Sequence, residues 1–353
     1  MRILALLLVL VPALAGAFPR PAIPFEPETY VCYQAIEPLV LDGRLDEESW
    51  RKAMPTATFV DIEGELKPRP RLFTRARMLW DEEYFYVGAF MQEPHLWATY
   101  RERDSVIYHE NDFEIFIDPD GDNHEYYELE INALGTEWDL LLVRPYRDGG
   151  PAVHAWDIPG LRCVVDLQGT INDPSDTDRG WSVEIAIPWK ALAECAHRPS
   201  PPEPGDQWRV NFSRVQWDLR SEDGAYVKET GEDGRPLPEH NWVWSPQGLI
   251  AMHYPEMWGV VQFSRFYSGE EREAFREDPA LEARFRLCEY YYAQREFREA
   301  QGRWAADLKE LGAGYDAQMQ VLPDRFLVRL PDAAGQWHSI DETGRLARDA
   351  AER

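Results

Sequence analysis

The chain reads as mainly β: an antiparallel β-sandwich with a small C-terminal α+β appendage. Three observations predict this. Short runs of alternating apolar and polar residues recur from about residue 30 to residue 266. Clusters of Asp, Asn, Pro and Gly separate those runs as turns. After residue 268 one stretch of helical periodicity and a few short strand-like runs replace the alternation.

Taken in order, residues 1–17 have the form of a signal peptide. Arg2 is the basic start, Ile3–Val11 the apolar run, and Ala13-Leu14-Ala15 or Ala15-Gly16-Ala17 the small-residue cleavage pattern. A Pro-rich lead-in follows, then a first strand over Tyr30–Ala35. Asp42-Gly43 marks a turn, and Asp46 is placed to cap a short helix that carries Trp50 inward. Phe59–Ile62 is a short strand, and Arg71–Leu79 and Tyr84–Met91 make a hairpin. Glu93–Glu110 is an irregular loop rich in aromatic and charged residues, the kind of segment that carries binding groups beside a rigid sheet.

The stretch Asn111–Val143 carries the strongest alternation. Phe113, Ile115 and Ile117 share one face of a strand, and Glu114, Phe116 and Asp118 share the other. In the next run Tyr127, Leu129 and Ile131 alternate with Glu128, Glu130 and Asn132. Phe113, Ile115, Leu129 and Ile131 are therefore predicted core. Further strands are expected at Trp138–Val143, Leu161–Leu167, Trp181–Ile187, Trp208–Trp217 and Met257–Phe263, with a short helix over Lys190–Ala196 and a polar loop or hairpin over Ser221–Glu239. Residues 268–353 form the appendage, with helices over Ala280–Gln301 and Trp304–Leu311 and short strands at Gln318–Val321, Arg325–Leu330 and Gln336–Ile340.

Composition narrows the function classes. A hydrophobic content of 44% and 14 Trp describe a folded chain. The formal net charge of −26, spread along the sequence, argues against a nucleic-acid partner, because phosphate binding needs clustered Lys and Arg. It also disfavours an anionic membrane surface. A neutral ligand such as a sugar, or a cation, fits better. Beyond the leader no run is long enough to span a membrane, so an exported protein is expected. The four Cys have no Cys-x-x-Cys spacing for zinc; export permits disulfides, and buried free thiols are the alternative.

Asp118, Asp120 and Asp122 stand together in the turn after Asn111–Asp118 and offer the all-oxygen chemistry that Ca²⁺ takes, without the full EF-hand pattern. Glu114, Glu128, Glu130 and Glu184 provide carboxylate pairs of the kind a glycoside hydrolase needs. Met91, His95 and Met252 are candidate axial ligands for a haem electron-transfer domain.

Six blocks carry a resemblance: DGRLDEESW, RMLWDEEYFYVGA, NDFEIFIDPDGD, YYELEIN, GWSVEIAIPW and GDQWRVNFSRV. Their order and spacing over residues 30–266 resemble the family 9 carbohydrate-binding modules, whose fold is a jelly-roll or DOMON-like β-sandwich. The resemblance implies non-catalytic binding of an oligo- or polysaccharide in a system that breaks down polysaccharide, by clamping a terminal sugar between two aromatic rings. The first ring falls at Tyr108. Glu114 matches an acidic ligand-contacting position. Glu130 stands where the family has a sugar-contacting Arg, and no Trp stands at Met252-His253-Tyr254, where Tyr254 or Trp258 would replace the second ring. Asp112 and Asn132 complete the expected site. The appendage resembles faintly the soluble part of a pilin and is the expected surface for any protein partner.

Overall fold

The computed structural model describes residues 18–312 and 317–349; the expected leader lies outside them. The strands of the main body are β1 (Thr29–Gln34), β2 (Val60–Asp61), β3 (Thr74–Trp80), β4 (Tyr84–Gln92), β5 (Asp112–Asp118), β6 (Tyr126–Asn132), β7 (Glu137–Leu142) and β8 (Ala152–Val153). They continue with β9 (Arg162–Gln168), β10 (Gly180–Pro188), β11 (Gln207–Gln216), β12 (Leu219–Glu222), β13 (Ala225–Lys228), β14 (His240–Val243) and β15 (Gly259–Tyr267). Two short helices, α1 (Glu48–Lys52) and α2 (Trp189–Leu192), sit between them.

The principal strands follow one path, β8-β7-β6-β5-β11-β15-β1-β3-β4-β10-β9. All pairings on it are antiparallel except those of β1. That strand runs parallel to β15 from Thr29↔Val260 to Cys32↔Phe263, and parallel to β3 at Tyr33↔Leu79 and Gln34↔Trp80. It is thus the seam between two halves folded face to face. Their inner faces meet in one core. Phe113, Ile115, Ile117, Leu129, Ile131, Val210 and Phe212 come from one half, and Met78, Val87, Ala89, Val183 and Ile185 from the other. The four residues predicted as core by alternation are among them. Burial of apolar inner faces, at roughly 25 cal/mol per Å², contributes most of what holds such halves together.

Several local expectations are corrected. The first helix begins after Glu47, not Asp46, and the Glu47 side chain does not cap it; Glu37 Oε1, from outside the helix, accepts from the Ser49 N–H at 3.2 Å instead. Trp304–Leu311 forms turns, not a helix. Asp307 Oδ1 accepts from the Lys309 and Glu310 N–H groups at 3.0 and 3.1 Å, a local bond that competes with helical pairing. The loop or hairpin expected over Ser221–Glu239 does contain a hairpin, β12–β13, whose Asp223 and Gly224 take the positive φ of 52° and 79° that a tight two-residue turn requires. All four Cys are free thiols.

The appendage is a long helix, α3 (Leu281–Gln301), and an antiparallel meander, β16 (Gln318–Val321), β17 (Phe326–Pro331), β18 (Trp337–Asp341) and β19 (Leu346–Arg348). Gly302, in the left-handed region at φ 71°, ends α3. The second core joins Leu287, Tyr291, Phe326, Val328 and Ile340 of the appendage to Phe18, Tyr254 and Met257 of the main body. The Asp118–Asp122 turn helps hold it: Arg345 Nε donates to Asp122 Oδ2 at 2.7 Å, Asn123 Nδ2 to the Gly344 carbonyl at 3.1 Å, and the Leu346 N–H to the Asp122 carbonyl at 3.0 Å. Among the described residues no helix is long and apolar enough to cross a membrane.

Candidate functional site

The outer face of β5, β6, β7 and β11 is the floor of a basin of about 630 Å³. Side chains alternate across a strand, so register decides which residues share that floor. One row runs Ser213, Glu114, Glu130, Trp138 across the four strands; the next runs Asn211, Phe116, Glu128, Leu140. Two glutamates therefore stand directly opposite each other, with a third one pleat further along. Tyr108, Tyr146, His154, Glu239 and His253 enter from loops.

The aromatic wall is a ladder. The rings of Tyr108 and Trp138 lie 6.4 Å apart at 24°, and those of Trp138 and His154 5.7 Å apart at 10°. Tyr108 is 39% exposed and its N–H donates to Glu130 Oε2 at 2.9 Å, which ties the stacking ring to the floor. Across the basin Tyr146, 50% exposed, meets His253 edge-on at 4.5 Å. His253 Nδ1 is hydrogen-bonded to the Tyr126 hydroxyl at 2.8 Å. Burial, and then the Arg147 charge, push its pKa down to about 3, so this imidazole is neutral.

The floor is acidic, and its carboxyls are buried. Burial raises Glu114 to about 7. Burial first, and the Glu114 charge second, hold Asp112, Glu128 and Glu130 well above the usual carboxylate range. Among the described lining residues there is no lysine or arginine.

Of the residues expected to form the site, Tyr108, Glu114 and Glu130 line the basin together. Asp112 lies beside them, buried, its Oδ1 accepting from the Val215 N–H at 3.1 Å. Three others are placed elsewhere. Asn132 ends β6 and turns its side chain to the backbone: Oδ1 accepts from the Leu134 and Thr136 N–H groups at 3.0 Å, and Nδ2 donates to the Tyr100 carbonyl at 2.9 Å. Tyr254 faces the appendage, its hydroxyl donating to the Pro19 carbonyl at 2.8 Å and its ring lying 4.1 Å from the Arg147 guanidinium. Trp258 is fully buried against Tyr126 and Phe116, with Nε1 donating to the Met252 carbonyl at 2.8 Å.

The other candidate chemistries are also located. Asp118, Asp120 and Asp122 come together as expected, one oxygen of each within 4.8 Å of the others; Asp118 also accepts from the Gly121 and Asn123 N–H groups at 2.9 and 3.0 Å, and Asp122 pairs with Arg345. Glu184 is on the opposite half, where it accepts from the Asp42 and Gly43 N–H groups at 2.8 Å and Trp50 Nε1 at 2.7 Å. It is a strap for the N-terminal loop and makes no pair with Glu114, Glu128 or Glu130. Met91 is in the sandwich core, His95 Nδ1 is 3.2 Å from the Tyr226 hydroxyl, and Met252 is at the basin, so these three do not gather around one centre.

Trp138, Tyr146, His154, Glu239 and His253 were not expected at the site. Trp138 was legible in principle, because the short Leu134-Gly135 turn fixes its register opposite Glu130. The loop residues carry no such signal.

Residues 41–205 match the model of the carbohydrate family 9 binding domain-like family. An exoglucanase, XynX, of Acetivibrio thermocellus is 27% identical over 154 residues, which cover 43% of this chain and 12% of that protein. An endo-1,4-beta-xylanase A of Thermoanaerobacterium saccharolyticum is 26% identical over 154 residues, 43% of this chain and 11% of that protein. The chain thus spans only a small part of the length of these relatives. A family 9 carbohydrate-binding module of Caldicellulosiruptor kristjanssonii, solved with cellotriose, aligns at TM-score 0.41 and 15% identity over 69% of this chain and 98% of that one. The same organism's module with glucose aligns at TM-score 0.42 and 15% identity, over 69% and 100%.

Proposed function

From the premise that the chain carries a family 9-like carbohydrate-binding β-sandwich, matched over residues 41–205, we propose that the basin binds a sugar unit of an oligo- or polysaccharide without cleaving it. One observation carries the reading. Tyr108, 39% exposed, lines one concave site of about 630 Å³ together with Glu114 and Glu130, and its backbone N–H donates to Glu130 Oε2. A pyranose has an apolar C–H face, which packs on an aromatic ring, and a rim of hydroxyls that pair with fixed carboxyl groups. Tyr108 and Tyr146 supply ring surface; Glu114, Glu128 and Glu130 supply the polar partners. Carboxyls held above their usual range by burial can donate as well as accept, which suits hydroxyl groups. The relatives, an exoglucanase and a xylanase, favour gluco- and xylo-configured ligands. The leader-like residues 1–17 support export, and the same relatives support a role beside polysaccharide breakdown.

Calorimetric titration with glucose, xylose, cellobiose, xylobiose and soluble xylan tests the proposal. Binding of at least one, weakened at least tenfold by Tyr108→Ala, is expected. No binding by the folded protein, or full affinity in Tyr108→Ala, would refute it. Release of reducing sugar by the pure chain would instead favour hydrolysis, for which the facing glutamates of the basin are the candidates.

A further inference from the structure

We infer that Asp112, Glu114 and Glu130 form a binding site for a divalent cation, Ca²⁺ first, at the floor of the basin. The inference rests on the floor's own chemistry and not on the sugar reading. One carboxylate oxygen from each of the three residues lies within 4.8 Å of the other two. Oxygens that ligate one Ca²⁺ at about 2.3–2.6 Å are separated by no more than about 5 Å. All three side chains are buried, Asp112 to 1%, Glu114 to 5% and Glu130 to 2% exposure. The set contains only hard oxygen donors, with no Cys or His, which suits Ca²⁺ over softer metals.

The two other carboxylate clusters among the described residues each have a guanidinium beside them. Asp104, Asp139 and Asp157 surround Arg103, which donates to Asp139 and approaches Asp157 at 3.4 Å and Asp104 at 3.8 Å. Asp118, Asp120 and Asp122 are engaged by backbone N–H groups and Arg345. The Asp112 cluster has no such cation. Arg214 is the guanidinium whose charge reaches Asp112, yet its donors are spent on Glu93 Oε2 and Thr74 Oγ1 at 3.0 Å and on Gln216 Oε1.

A second observation points to a ligand. Asp112 Oδ2 and Glu128 Oε2 are buried oxygens with no hydrogen-bond partner. Leaving such an acceptor unpaired is costly, and like charges directly opposite on neighbouring strands are unfavourable. Glu114 and Glu130 are directly opposite. A doubly charged ion held by Asp112, Glu114 and Glu130 would give the buried Asp112 carboxylate a partner and favour the ionised form of the facing glutamates, and the open basin above it leaves room for water or a hydroxyl to complete its coordination.

The test is calorimetric titration of Ca²⁺ alone, without sugar, into chelator-stripped full chain near pH 7.5. One ion per chain is expected. Glu130→Gln and Asp112→Asn, which preserve the acceptors for the Tyr108 and Val215 N–H groups, should each weaken that ion at least tenfold. Thermal melting confirms that each variant is folded. Asp120→Asn, in the other turn, should leave the ion's affinity unchanged. No Ca²⁺ binding by the wild-type chain, or equal binding in both floor variants, would overturn the inference. Because no sugar is present, that result leaves the sugar reading standing, and a failed sugar titration leaves this one standing.

Discussion

The pair Arg147 and Glu256 is a joint whose removal should be felt at two distances. Arg147 follows Tyr146 in the β7–β8 loop, and Glu256 lies two residues after Tyr254. Their side chains are 7% and 1% exposed. The guanidinium makes a two-pronged contact, Nη1 to Oε1 at 2.7 Å and Nη2 to Oε2 at 3.0 Å, and the Tyr292 hydroxyl of α3 donates to the same carboxylate. Glu256→Ala leaves a buried guanidinium without its main partner, a loss of roughly 3–5 kcal/mol. Asp148 Oδ2 remains 3.3 Å from Arg147 Nε, which places the expected loss near the lower end, about 3 kcal/mol, or about two orders of magnitude in the folding equilibrium. Urea unfolding followed by tryptophan fluorescence reads this directly. Arg147→Met combined with Glu256→Leu should recover much of it, because no charge is then stranded. Tyr146 and His253 flank the two residues and line the basin, so sugar affinity should fall in Glu256→Ala as well. A loss below about 1 kcal/mol, or a double variant no better than the single one, would refute the reasoning.

Two further outcomes follow from buried carboxyls. Glu184→Gln must place an amide N–H₂ against Trp50 Nε1 or the Asp42 and Gly43 N–H groups, all donors; a loss of roughly 2 kcal/mol in urea unfolding is expected, and an unchanged midpoint would contradict the assigned bonds. With divalent ions chelated, thermal stability should fall as pH rises from about 5 to 8.5. Burial raises Asp112 and Glu114 on β5 and Glu128 and Glu130 on β6, with Asp104 and Glu239 facing them from loops and Arg214 from β11. The folded chain keeps protons that the unfolded chain has released, so their contribution is full below the ordinary carboxylate range and is lost through the Glu114 value of about 7. A melting temperature that rises over this interval would contradict it.

Much of the sandwich was legible because alternation is a local signal. Phe113, Ile115, Leu129 and Ile131 face inward as their pattern requires, and Glu114 and Glu130 therefore face the basin. The same rule placed Asn132 on that face, but strand ends obey turn chemistry as well, and its amide closes the Leu134–Thr136 turn. Tyr254 and Trp258 were read by position along the chain. Their directions are set by the appendage and by the aromatic layer of Phe116 and Tyr126 on the outer face of β5 and β6, neither of which leaves a mark in nearby residues. Tyr146 was invisible for the same reason: its loop is anchored through Arg147 by Glu256, a residue more than a hundred positions away. The Asp118–Asp122 turn gave a cation signal from composition, and its three carboxylates do gather within 4.8 Å of one another, while also accepting from their own backbone and from Arg345.

The seam strand has a practical consequence. β1, β11, β14 and β15 all lie outside residues 41–205, the range matched by the family model. A fragment cut to that range would lose the neighbour of β5 on one side and of β3 on the other. The β5 edge facing β11 and the Leu79–Trp80 end of β3 would lose their partners and leave unpaired backbone groups beside bare apolar faces, a template for aggregation. The range matched by the family model is thus narrower than the strand path, and a version of this domain that keeps both neighbours of β5 and of β3 has to include β1 through β15.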